Sequence, residues 1–97
     1  MSWSVSSVGT REDVKKNAAE WFDTAAMNYK GTEEEKDIMT AKERALSVVD
    51  EIDLNTYTPD GQPMLVNVYC YGSRSTIDGK VSEASIHISV SRAQAMK

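Results

Sequence analysis

Met64-Leu65-Val66-Asn67-Val68-Tyr69-Cys70-Tyr71 and, after a turn, Ala84-Ser85-Ile86-His87-Ile88-Ser89-Val90-Ser91 both alternate between two kinds of side chain. Successive side chains of a strand point to opposite faces, so this period of two reads as a pair of strands, expected over 64–73 and 82–92. One row is apolar, with Val66, Val68 and Cys70 on the first strand and Ile86, Ile88 and Val90 on the second. The other holds Asn67, Tyr69, Tyr71, Ser85, His87 and Ser89. A hairpin with one face for a core and one for something else decides the fold.

The connection contains Asp78-Gly79, a strong turn signal. A two-residue loop there sets even residues opposite odd ones, which would bring apolar side chains against polar ones in an uninterrupted ladder. A three-residue loop, Ile77-Asp78-Gly79 with Gly79 in a left-handed bulge position, restores the match. It predicts Val68 opposite Ile88, Val66 opposite Val90 and Cys70 opposite Ile86.

Upstream, Trp3 and Val5 alternate with Ser2, Ser4 and Ser6, which predicts a first strand over 2–8. Thr10 three residues before Asp13 resembles a capping box, so a helix is expected over 11–30. Its apolar positions Val14, Ala18, Trp21, Phe22, Ala25, Ala26 and Tyr29 recur at three and four residues. Gly31 is the expected left-handed terminator, and Thr32 with Glu35 forms a second capping box opening a helix over 33–52. That helix carries Ile38, Ala41, Ala45, Val48, Val49 and Ile52 on one side. Two amphipathic helices with so short a link form an antiparallel hairpin. Asp53 to Pro63 reads as a loop, with Pro59-Asp60-Gly61 supplying a turn. The expected fold class is α+β in the order β-α-α-β-β, a three-stranded sheet with a helical hairpin packed on one face. Strand order stays open, and Arg92 to Lys97 either extends the last strand or frays.

With 97 residues, 40% hydrophobic and 27% charged, the chain has the size and composition of one globular domain spanning 1–97. Its net charge of −4 argues against nucleic-acid binding through a basic surface. No segment approaches the roughly 18 apolar residues of a membrane span, and Met1-Ser2-Trp3-Ser4 lacks the layout of a secretory signal. A cytoplasmic location is therefore expected, and the single Cys70 fits a reducing compartment.

The chemistry on offer is sparse. One cysteine and one histidine fall short of a structural zinc site, the glycines stand singly rather than in a phosphate loop, and no cofactor or metal is expected. Strand parity puts Cys70 and His87 on opposite faces, which excludes a thiol–imidazole catalytic pair. Asp50 and Asp53, three apart at a helix end, read as a solvated terminus rather than an acid–base pair. No catalytic residue is expected. Two binding candidates remain. The first is the open sheet face, where Tyr69, Tyr71, His87, Asn67 and Ser89 lie, since tyrosine supplies area with a hydrogen-bonding tip; an ordinary solvated face is the alternative. The second is an anion or nucleotide site combining Arg74, Ser73 and Ser75 with Arg11 and Thr10, because an arginine fork, hydroxyls and free helix amides hold phosphates.

The opening Ser2-Trp3-Ser4-Val5-Ser6 with Gly9-Thr10, the helical middle and the closing Ile86-His87-Ile88-Ser89-Val90-Ser91 resemble small uncharacterised proteins of tailed bacteriophages and prophages. The resemblance transfers no catalytic residue; it implies a bacterial cytoplasm during infection. The functional expectation is a non-enzymatic, homo-oligomeric binding protein that sequesters a host protein or a small anionic ligand. A structural or assembly component of a virion is the alternative.

Overall fold

A computed structural model describes residues 2–54 and 64–94. Its strands are β1 (Ser2–Gly9), β2 (Met64–Ser73), β3 (Thr76–Ile77), β4 (Lys80–Val81) and β5 (Ser85–Gln94), with helices α1 (Arg11–Asn28) and α2 (Glu33–Glu51) between the first two. The main sheet is antiparallel in the order β1-β2-β5, with α1 and α2 packed on one face, an α+β arrangement. The expected turn at Pro59-Asp60-Gly61 and the last residues of the C-terminal tail lie outside the described residues. No described helix is long and apolar enough to cross a membrane.

Alternation along three strands builds the core. Pairing of Val5 with Cys70 and of Cys70 with Ile88 keeps odd residues of β1 beside even residues of β2 and β5, so one face is apolar throughout. Trp3, Val5, Val66, Val68 and Cys70 are buried on it against Val14, Ala18, Phe22 and Ala26 of α1 and Ile38, Ala41, Ala45 and Val49 of α2. Trp3 meets Phe22 edge to face, with ring centroids 6.3 Å apart.

Each helix buries an i, i+4 row narrower than its full set of apolar residues. Trp21, expected in the buried stripe, is 59% exposed, because Val14, Ala18, Phe22 and Ala26 already fill the inward line and Trp21 is turned about 100° from Phe22. Thr10 caps α1, its Oγ1 accepting the Asp13 N–H at 3.2 Å. The second capping box does not form. Thr32 occupies the cap position, but its hydroxyl donates to the Tyr29 carbonyl at 2.6 Å, satisfying the end of α1 instead of the start of α2. The antiparallel hairpin of helices is tied at the far end by Arg11, which donates to the carbonyls of Asp50 (3.3 Å) and Ile52. Lys15 with Asp50 (2.6 Å) and Lys42 with Asp23 (2.7 Å) add ion pairs across it.

The hairpin register differs from the expected one. Asp78-Gly79 is a two-residue turn between Ile77 and Lys80, with φ of 53° and 77°, the left-handed pair of a type I′ turn. Parity is restored further down. Arg74 and Ser75 on one side oppose Ser82, Glu83 and Ala84 on the other, so a one-residue bulge separates the β3–β4 arm from the sheet. Val68 therefore pairs with Val90, Val66 with Arg92 and Cys70 with Ile88, two residues along from the register a three-residue loop would impose. The expectation failed because it assumed one uninterrupted ladder.

Candidate functional site

The face of the sheet turned away from the helices is built from four rows that cross all three strands: Ser2-Ser73-Ser85, Ser4-Tyr71-His87, Ser6-Tyr69-Ser89 and Val8-Asn67-Ser91. None of these positions is Asp, Glu, Lys or Arg, in a chain with 27% charged residues. Two aromatic hydroxyls stand at its centre, because β2 is the middle strand and its odd positions hold both tyrosines, and the His87 imidazole lies beside Tyr71 on β5. Tyr71 stacks on His87 with centroids 5.0 Å apart and planes 21° from parallel, while Tyr69 leans on Tyr71 at 5.6 Å.

That geometry narrows what the face does. Tyr69 and Tyr71 are 45% and 42% exposed, yet the stacked face of the Tyr71 ring is already covered by His87. What Tyr71 offers outward is ring edge and hydroxyl, so it is a poor platform for stacking a base and a good donor–acceptor patch. Charge depletion and exposed tyrosine are features of protein-contact surfaces. Asn67 and Ser89 flank the tyrosines in the adjoining rows.

The anion-site candidates are not brought together. Ser73 and Arg74 lie at the end of β2 that pairs with the start of β1, whereas Thr10 and Arg11 follow the other end of β1. Each arginine already has protein partners. Arg11 caps α2. Arg74 forms a two-pronged pair with Asp37, Nε to Oδ2 at 2.6 Å and Nη2 to Oδ1 at 2.9 Å, and donates through Nη1 to the Ser82 carbonyl at 3.2 Å. Hydrogen bonding to the Asp37 carboxylate holds the guanidinium more firmly protonated than usual, with Glu33 and Glu34 adding to the effect. Acidic surroundings of this kind repel a phosphate. Ser75 is taken up by the bulge: its N–H donates to Ser82 Oγ (2.9 Å) and its carbonyl accepts from the Ser82 N–H (2.7 Å).

Cys70 faces the helices and His87 the open side, so no thiol–imidazole contact forms. Burial pushes the Cys70 thiol up to about 11, a backbone hydrogen bond at Ser89 opposing it in part. Such a thiol is a poor nucleophile. Asp50 is paired with Lys15. Sequence reading missed the Arg74–Asp37 pair, because nothing local links two residues so far apart in the chain.

No protein-family model, curated protein or solved structure matches this chain.

Proposed function

We propose that the chain is a non-enzymatic binding protein that works as a homo-oligomer and presents the open sheet face to another protein. The observation carrying this reading is the charge-free patch centred on Tyr69, Tyr71 and His87, crossed by serines from all three strands. Solvated sheet faces ordinarily use charged side chains for solubility, and removing charge from such a patch is what burial against a partner requires. The resemblance to phage proteins suggests a host protein as that partner, in a counter-defence role.

The test compares wild type with Tyr71→Ala/His87→Ala as immobilised baits in a bacterial lysate. A specific protein retained near one-to-one by wild type and lost by the variant, with unchanged circular dichroism and thermal midpoint, is the expected result. Identical retention profiles would return the face to ordinary solvated sheet.

A further inference from the structure

His87 is the single histidine of the sequence. It lies on the open sheet face in the row Ser4-Tyr71-His87, and the four rows of that face include no Asp, Glu, Lys or Arg. Histidine is the side chain that ordinarily changes charge between about pH 5 and 8. A proton on this ring gives an otherwise uncharged surface one positive charge, with no carboxylate in the rows around it.

We infer that His87 is a pH gate on the open face: the neutral imidazole lets a protein partner dock there, and the imidazolium opposes docking. The inference rests on the proposed function and supplies the regulation of that same surface.

The stack with Tyr71 keeps the charge where it acts. Ring centroids 5.0 Å apart and planes 21° from parallel lay the imidazole over the phenol ring. Protonation strengthens this contact, because a cation is attracted to the negative face of an aromatic ring. The charged ring therefore stays within the patch and does not swing out into water. Tyr69, leaning on Tyr71 at 5.6 Å, joins the three rings into one unit.

The groups around β5 give the charge little relief. On the open face, β2 contributes the phenols of Tyr69 and Tyr71 and β1 contributes Ser4, none of them a carboxylate. α2 packs on the opposite face, so its charges beside β5, Glu43 and Arg44 at the groove with Ile88, are separated from His87 by the sheet and oppose each other in sign. Arg92, paired with the buried Val66, has the same parity as Ile88 and shares that side, as does the Cys70 thiol. Glu83, the acid nearest to His87 in sequence, precedes β5 and lies outside the four rows. Docking buries the face, and an unpaired charge is far costlier to bury than a neutral ring, so affinity follows the neutral fraction. For a histidine titrating in the ordinary range near pH 6.5, that fraction falls about tenfold between pH 7.5 and 5.5.

The test takes the protein that wild type retains from a bacterial lysate and measures its affinity by calorimetry at pH 7.5 and 5.5. Wild type should bind about tenfold more weakly at pH 5.5. His87→Gln, neutral at both values, should bind equally at both, whatever its absolute affinity. His87→Arg, charged at both, should bind at neither pH more tightly than wild type does at pH 5.5. Titration of the partner itself would appear in His87→Gln as well, so equal pH dependence in wild type and His87→Gln would overturn the gate, as would equal or tighter wild-type binding at pH 5.5; either leaves the contact face standing. If no protein is retained through this face, the gate and the proposed function fall together. Proton resonances of the single imidazole in the free chain give a reading that needs no partner. Their ring-current shifts from Tyr71 should persist from pH 8 to 5, and collapse to free-histidine positions on protonation would overturn the gate. Circular dichroism of each variant separates lost binding from unfolding.

Discussion

Gly72→Ala tests the packing of the sheet on α1 most directly. A Cβ on residue 72 would stand 2.5 Å from Trp3 Cζ2, 2.7 Å from Cε2 and 2.8 Å from Nε1. Carbon contacts settle near 3.5 Å or beyond, so the indole must retreat by about 1 Å. It has little freedom to do so, because Trp3 is 7% exposed and set edge-on against the fully buried Phe22. Overpacking of this kind costs roughly 1–3 kcal/mol, and replacing a strand glycine by alanine returns about 0.5–1 kcal/mol. The net loss is centred on about 1 kcal/mol and reaches about 2.5 kcal/mol at most. With a urea slope near 1 kcal/mol per molar, the unfolding midpoint should fall by about 1 M with the slope unchanged. Tryptophan fluorescence can follow the transition. In a Trp3→Val background the clash disappears, and Gly72→Ala should become neutral or stabilising. Equal destabilisation in both backgrounds, or none in either, would refute the argument from the indole.

Two further outcomes follow from buried groups near the sheet. The Cys70 thiol, raised from 9.0 to about 11, ionises in the unfolded chain first, so its contribution to stability is fully present below about pH 9 and is lost as pH rises towards 11. Between pH 8 and 10.5 the loss amounts to about 1.8 kcal/mol, read as a difference in unfolding free energy that vanishes in Cys70→Ala. Fast alkylation of native Cys70 at pH 8 would contradict its burial. Arg74→Lys keeps the charge but cannot reproduce the two-pronged contact with Asp37 and the bond to the Ser82 carbonyl. Amide exchange across 74–84 should accelerate while β1 is unaffected; unchanged exchange would show that the arm is held by its backbone alone.

Much of the fold was legible because it rests on periodicity. The alternation of Val66, Val68 and Cys70 with Asn67, Tyr69 and Tyr71 fixes which side meets the helices, and the structure places the tyrosines and His87 together on the other. Parity also signalled that a compensating residue was needed somewhere in the hairpin. It gave no address, and the bulge sits at Ser82 to Ala84, where the Ser75 N–H bonded to Ser82 Oγ and the Arg74 guanidinium bonded to the Ser82 carbonyl accommodate it. Trp21 shows the complementary weakness: an apolar residue one position from a buried row looks like part of it, and only the volume available under the helix decides. The separation of Arg11 from Arg74 depends on the direction of β1 against β2, and the sequence left the neighbour of β1 undecided.

The bulge that separates the β3–β4 arm from the main sheet has an evolutionary side. Because the extra residue resets parity at the junction, the arm's register is independent of the sheet's, and its tip can gain or lose residues without turning Tyr71 inward or Ile88 outward. Lineages can therefore remodel the Asp78-Gly79 end freely, for length or for a new contact, while the face below stays constant. For the same reason, an epitope or reporter spliced between Asp78 and Gly79 should leave the fold undisturbed.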